Sequence, residues 1–243
     1  MDDLTRSAHA NSFGPAARSY ERGRPGYPAE ALDWLLPPGR PRVLDLGAGT
    51  GKLTRALAGR GLPVTAVEPS QGMIEELRRV LPAVHAHQGT AENIPLPDDA
   101  VDVVLVAQAW HWVDVDRAVP EIARVLAPGG RLGVLWNVRD ESAAAWVHRL
   151  GIIIDSADQS RDPAMGPPFG PVRTAEFRWT DRVSPEALLD LVASRSRVIL
   201  LPADERAALL AQVRQLTATH PALVGHTGFD LPYVTECARA DLP

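Results

Sequence analysis

Three glycines at alternate positions, Gly47, Gly49 and Gly51, end an apolar run that starts at Val43 and lead into a stretch continued by Leu53, Arg55, Ala56 and Leu57. Glycine lacks a Cβ, so such a bend can adopt backbone that other residues resist and lets a ligand approach main-chain amides. The first turn of a following helix contributes free N–H groups and a positive dipole end. At the carboxyl edge of a parallel sheet this arrangement suits a nucleoside-containing cofactor. Two phosphate motifs fit the spacing poorly. A P-loop requires Gly, four intervening residues and then Gly-Lys-Ser/Thr, but Leu46 holds the first of those positions and Leu53 the last. The dinucleotide pattern Gly-x-Gly-x-x-Gly would place its third glycine where Lys52 stands, so that reading is weakened and stays open.

Two carboxylates accompany the bend. Asp45 lies two residues before Gly47 inside the apolar run, where a charge is costly unless it has partners. It could accept hydrogen bonds from the bend and help hold a cationic ligand. Glu68 ends the run Val64-Thr65-Ala66-Val67, 17 residues after Gly51, and is followed by Pro69 and Ser70. A carboxylate there can accept both hydroxyls of a ribose, whether of NAD or of another adenosine cofactor. It would equally be favoured as an acid beside the start of the next helix.

The run Asp45-Leu46-Gly47-Ala48-Gly49-Thr50-Gly51 resembles the first motif of the class I S-adenosylmethionine-dependent methyltransferases. That resemblance implies S-adenosylmethionine as cofactor, with Asp45, Gly47, Ala48, Gly49, Glu68 and Pro69 around it. This donor carries no phosphate, consistent with the missing phosphate motifs. The segment from Gln88 to Asp98 resembles the family's adenine-side segment, but Thr90 stands where an acid is common. Thr90, Ala91 and Glu92 are the candidates there, with Glu92 equally readable as a solvated acid. Met73 would pack either on the adenine or in the core.

Gln108-Ala109-Trp110-His111-Trp112 follows the apolar run from Val101, where the resemblance places the methyl-bearing end of the cofactor. Gln108 would bond the methionine amine or carboxylate. His111 is the candidate base, since an unperturbed imidazole titrates near neutrality; the alternative is a structural ring between packed tryptophans. Aromatic walls would also attract a sulfonium. Methyl transfer needs alignment and exclusion of water more than covalent machinery, and alignment of this kind is worth roughly 7–11 kcal/mol. Upstream, Tyr20-Glu21-Arg22-Gly23-Arg24-Pro25-Gly26-Tyr27-Pro28 resembles a segment of small-molecule enzymes in the methyltransferase type 11 group. It implies Arg24 on the methionine carboxylate and Tyr20 or Tyr27 over the site; a Pro-rich loop with a surface arginine is the plainer reading.

The elements that position these residues alternate. Hydrophobic runs and breakers predict strands over 42–46, 63–68, 83–88, 101–107 and 131–137, and helices over 28–36, 51–60, 70–80, 115–126 and 141–156. Nearly continuous apolar strands fit a parallel sheet covered on both faces, hence a doubly wound α/β fold. From Asp162 to Pro171 four prolines and two glycines predict a mobile loop. A strand over 175–181, helices over 185–195 and 203–219, and a closing strand between Gly228 and Ala240 complete the pattern. Ser184 and Pro185 make a good helix start. The resemblance implies a seven-stranded, mostly parallel Rossmann-like sheet with an antiparallel edge pair and a C-terminal helical cap. Leu188, Leu191, Val192, Val198, Ile199 and Leu200 would be the cap's apolar face. One domain over 1–243 is expected: lid and first helix 1–38, cofactor core 39–140, cap and closing strands 141–243.

Composition narrows the partners. Net charge is −5, and Lys52 is the only lysine among 25 basic residues, the arginines being scattered without a basic stripe. Nucleic acid is therefore not expected as a partner. The longest apolar runs fall far short of the roughly 20 residues a membrane helix needs. No signal-like segment precedes Asn11, and Cys237 is the only cysteine, so a cytoplasmic setting is expected, without disulfide or metal site. The expected activity is methyl transfer to an oxygen, nitrogen or carbon of a small molecule. A nicotinamide-dependent oxidoreductase and a non-catalytic cofactor-binding protein are the alternatives. Oligomeric state is not legible.

Overall fold

The computed structural model describes residues 24–154 and 163–243. Among them the strands are β1 (Val43–Leu46), β2 (Val64–Glu68), β3 (His85–Gln88), β4 (Val101–Ala107), β5 (Leu126–Arg139), β6 (Arg173–Val183) and β7 (Phe229–Asp241). The helices are α1 (Ala29–Leu35), α2 (Lys52–Ala58), α3 (Gln71–Val80), α4 (Val115–Val125), α5 (Ala145–Ile153), α6 (Pro185–Ala193), α7 (Ser196–Ile199) and α8 (Ala203–Thr219). The sheet order is β3-β2-β1-β4-β5-β7-β6. All neighbours from β3 to β5 are parallel, and β7 runs antiparallel to both β5 and β6. This is the seven-stranded, mostly parallel α/β sheet expected from the sequence.

Helices cover both faces, which is why the central strands read as unbroken apolar runs. Leu44, Leu46, Val104 and Val106 pack with Ala118, Val119 and Ile122 of α4 on one side. Val43, Val103 and Leu105 meet Leu32 and Leu35 of α1 and Leu53 and Leu57 of α2 on the other. A third cluster joins α5, α6 and α8 to β7 through Leu150, Leu188, Val213 and Leu231. Of the predicted cap face, Leu188, Leu191, Val192 and Val198 are buried, whereas Leu200 is exposed. No helix among the described residues is long and apolar enough to cross a membrane.

Several details differ from the sequence expectation. The helix predicted from 141 begins at Ala145, because Ser142 donates through both N and Oγ to Asp140 Oδ1 at 3.2 and 2.6 Å. Such a side-chain turn competes with helix. β5 begins at Leu126, which pairs with Val101 of β4, and runs to Arg139, since antiparallel pairing continues through Arg139↔Tyr233. The Pro-rich stretch is anchored where it is described: Met165 and Phe169 are buried in the main core.

Leu35 is fully buried between α1 and the sheet. Leu35→Ala should lower the unfolding free energy by about 2–5 kcal/mol through lost transfer energy and the cavity left behind. Urea denaturation followed by circular dichroism measures this, and a loss below about 1 kcal/mol would contradict the packing described.

Candidate functional site

The side chains of β1 alternate across the sheet, so Asp45 shares the face of Val43 and lies beneath α2. It is fully buried. Thr54 Oγ1 of α2 donates to Asp45 Oδ2 at 2.5 Å, while Oδ1 has no hydrogen-bond partner among the described residues. Burial raises the Asp45 pKa to about 7; the Thr54 bonds oppose this and the Glu68 charge adds to it.

After β1 the chain turns through Gly47, Gly49 and Gly51 at φ 75°, 56° and 92°. These values lie in left-handed backbone, which glycine adopts without strain. A Cβ at Gly47 would sit 2.9 Å from the Ala109 Cβ, so a side chain is excluded on packing grounds too. The amides of Gly47 and Ala48 donate to Val67 O at 2.8 and 3.1 Å, tying the bend to β2. At the end of β2, Glu68 Oε2 accepts from Gly49 N and Oε1 from Ser70 N, both at 2.9 Å. Glu68 is buried, which raises its pKa against the opposing effect of these amide bonds. Each oxygen keeps a second lone pair for a hydroxyl donor.

Gln108, just beyond β4, has φ 59°, a left-handed conformation uncommon outside glycine that concentrates at ligand sites. Its backbone N donates to Leu135 O at 2.9 Å and its side-chain Nε2 to Asn137 O at 3.3 Å. Trp110 through Trp112 form a 3₁₀ turn. Trp110 is buried in the main core, and His111 packs on Trp112 with ring centroids 4.6 Å apart. His111 keeps an exposed edge, yet the protein crowded around the ring, and then the Arg24 charge, lower its pKa to about 4.

A hollow of about 620 Å³, open space at its mouth included, lies against the glycine bend. Of the residues predicted from sequence, Arg24, Tyr27, Asp45, Gly47, Ala48, Gly49 and Gln108 line it, with Leu191 of the cap face. Glu68 reaches it through Gly49. His111 is not among the lining residues. The adenine-side candidates are not among its lining residues: Thr90 is exposed and pairs through its backbone with Asn93, and Ala91 is buried in the core. Glu92 accepts the Asp114 N–H at 2.9 Å where α4 begins. Met73 is buried, and Pro69 O accepts from Gln88 Nε2 at 3.1 Å. Tyr20 lies outside the described residues.

Sequence reasoning missed Asn137, Arg139, Arg195 and Tyr233, which also line the hollow. Asn137 Nδ2 donates to Gly26 O at 2.8 Å, fixing the N-terminal segment that carries Arg24 and Tyr27. Asn137 Oδ1 in turn accepts from Thr235 Oγ1 at 2.6 Å, and Trp179 Nε1 donates to that hydroxyl at 2.8 Å. The available signal for Asn137 and Arg139 was their place at the carboxyl edge of a strand beside β4, where open α/β sheets bind ligands. Arg195 and Tyr233 depend on the docking of the cap and carried no local signal.

The chain from residue 44 to 134 matches the family model described as a methyltransferase domain. It is 58% identical over 233 residues to an uncharacterized methyltransferase of Mycobacterium tuberculosis, covering 95% of this chain and 96% of that protein. A methyltransferase-like protein of Schizosaccharomyces pombe is 32% identical over 238 residues, covering 92% and 93% of the two chains. A solved structure of a type II methyltransferase from Anaeromyxobacter dehalogenans, itself described as putative, superposes with TM-score 0.63 at 28% identity, covering 90% of this chain and 97% of that one.

The raised Asp45 pKa has a measurable sign. The folded state holds the Asp45 proton up to about pH 7, whereas an unfolded Asp releases it near 3.8. This residue's contribution to stability is therefore complete below about pH 4 and lost as pH rises to about 7. Asp45→Asn should remove that slope: the difference in melting temperature between variant and wild type should grow in the variant's favour from pH 4 to 7. A difference independent of pH would refute the buried, protonated carboxyl.

Proposed function

Since the chain belongs to the class I S-adenosylmethionine-dependent methyltransferases, we propose that the hollow beside the glycine bend receives S-adenosylmethionine and a small-molecule methyl acceptor. The product would be a methylated oxygen, nitrogen or carbon together with S-adenosylhomocysteine. The observation that carries this reading is the Glu68 carboxylate, buried, bridging the Gly49 and Ser70 amides at 2.9 Å each while retaining acceptor capacity for a ribose. The donor set fits the cofactor in a second respect. Asp45 Oδ1 is a buried oxygen without a partner among the described residues, on the wall of the hollow, and suits the cationic amine of the methionine part.

Bound S-adenosylmethionine supplies an activated methyl group on a sulfonium. The protein's own task is to bind, align and keep water away. In this reading Gly47, Ala48 and Gly49 let the cofactor lie against the backbone, Glu68 takes the ribose and Gln108 meets the methionine part. Pro69, Met73, Thr90, Ala91 and Glu92 flank the adenine side, and Arg24 approaches the carboxylate. His111, held neutral at physiological pH by its lowered pKa, is poorly suited to strong base catalysis. The relatives' names favour methyl transfer over hydride transfer. The acidic net charge favours a small acceptor over nucleic acid, and a sole, buried cysteine suits the cytoplasm.

Glu68→Ala should weaken S-adenosylhomocysteine binding at least tenfold by titration calorimetry, with the fold verified by circular dichroism. Wild-type protein should take up S-adenosylhomocysteine and ignore NAD. Unchanged affinity in the variant would remove the ribose assignment, and NAD uptake by the wild type would remove the proposed cofactor.

A further inference from the structure

The hollow carries a concentration of positive charge that the cofactor alone does not account for. Arg24, Lys52, Arg139 and Arg195 all line it, and among the described residues Asp45 is the only lining carboxylate. The Arg139 side chain is 8% exposed; its nearest carboxylate oxygen, on Glu141, is 3.8 Å away, and its Nε has no hydrogen-bond partner among the described residues. Arg195 stands just beyond α6, beside Ser194, whose carbonyl accepts from Arg24 Nη2 at 3.2 Å. Burial first, then the charges of Arg139 and Arg24, lower the Arg195 pKa to about 9. Burial likewise lowers that of Arg139, with the Arg24 charge adding to the effect. Crowded, partly desolvated guanidinium groups repel one another, and an arriving anion relieves that repulsion. Tyr233 lies among them with its hydroxyl pushed up to about 12, chiefly by burial, so at neutral pH it is a hydrogen-bond donor.

Among the described residues that line the hollow there is no histidine and no exposed carboxylate to act as a base. Beyond the cations, the titratable groups lining it are the phenols Tyr27 and Tyr233, the latter keeping its proton, and Asp45, which is fully buried and clamped by Thr54. An alcohol or ammonium acceptor would need a proton removed. A carboxylate arrives already ionised, and planar guanidinium groups match it with paired hydrogen bonds.

We propose that Arg139, Arg195 and Tyr233 form the acceptor subsite, that the acceptor is a small carboxylic acid, and that its carboxylate oxygen is the nucleophile. This rests on the methyltransferase reading above. A lone pair of the carboxylate oxygen forms the new O–CH₃ bond as the S–CH₃ bond breaks. That bond's electron pair stays on sulfur, which becomes a neutral thioether. The negative charge of the acid and the positive charge of the sulfonium disappear together, and no proton is transferred. The product is a methyl ester.

The test incubates purified protein with isotopically labelled S-adenosylmethionine and a panel of mono-, di- and tricarboxylic acids, beside matching alcohols, amines and phosphate monoesters. Methyl esters release labelled methanol in mild base, which ethers, N-methyl and C-methyl products do not. Base-labile label from one or more acids is expected. With such an acid, Arg195→Gln and Arg139→Gln should lower kcat/KM at least tenfold, Arg195→Lys should recover part of the loss, and Tyr233→Phe should raise KM. S-adenosylhomocysteine affinity, measured separately by calorimetry, should stay within threefold for Arg195→Gln and Arg195→Lys. Label confined to alcohols, amines or phosphates, or absent from every acid, overturns the acceptor assignment while leaving the cofactor reading intact. A tenfold loss of S-adenosylhomocysteine affinity in both Arg195 variants would assign the cluster to the cofactor instead. No uptake of S-adenosylhomocysteine by folded wild-type protein would overturn the methyltransferase reading itself.

Discussion

The placement of the whole site depends on one buried carboxylate shared between two backbone amides. Glu68 accepts from Gly49 in the loop after β1 and from Ser70 in the loop after β2. Burying an ionised carboxyl is costly, and two charge-assisted bonds to amides are what make it tolerable. Without it, the Gly49 amide would lose its partner, and the bonds from Gly47 and Ala48 to Val67 O would be left to tie the glycine bend to β2. The same charge acts on Asp45 below, where it adds to burial in favouring the protonated form. Two acids in one apolar sheet edge are thus accommodated by opposite means: one is held by amides, the other leans toward neutrality.

Much of this arrangement could be read from residues close together in the chain. Val43 to Gly51 contains both the apolar strand and the glycines whose left-handed φ values the bend requires, so strand, turn and helix start follow from local chemistry. Glu68 was legible because it ends the next apolar run. The boundary at Ala145 was not, because Asp140 captures Ser142 through a side-chain bond that competes with helix only once the loop is formed. The aromatic cluster left two readings open in the sequence, walls of the site or packed core, and the 3₁₀ turn sends Trp110 into the core. Arg195 and Tyr233 meet the site only because the helical cap folds back over the sheet and β7 aligns against β6, and neither event leaves a local trace.

A hydrogen-bonded relay links these distant parts. Trp179 on β6 donates to Thr235 on β7, Thr235 to Asn137 on β5, and Asn137 to the carbonyl of Gly26 in the N-terminal segment. Trp179 also stacks on Tyr233 at 5.3 Å, so the wall of the hollow and the segment over it share one scaffold. The polar groups inside the relay are satisfied by one another, which favours a single geometry.

The position of β7 has a consequence for how the molecule comes to exist. β7 is last in chain order, yet it lies between β5 and β6 and pairs with both. During synthesis β6 leaves the ribosome before the strand that joins it to the sheet, and the parallel part of the sheet can assemble while β5 still has an open side. Ligand-ready architecture therefore arrives in two instalments: a nucleoside cradle early, and its facing wall only when the final strand slides into the gap. A nascent chain halted before Phe229 would keep the bend and lack Tyr233, Thr235 and the anchorage they give the cap.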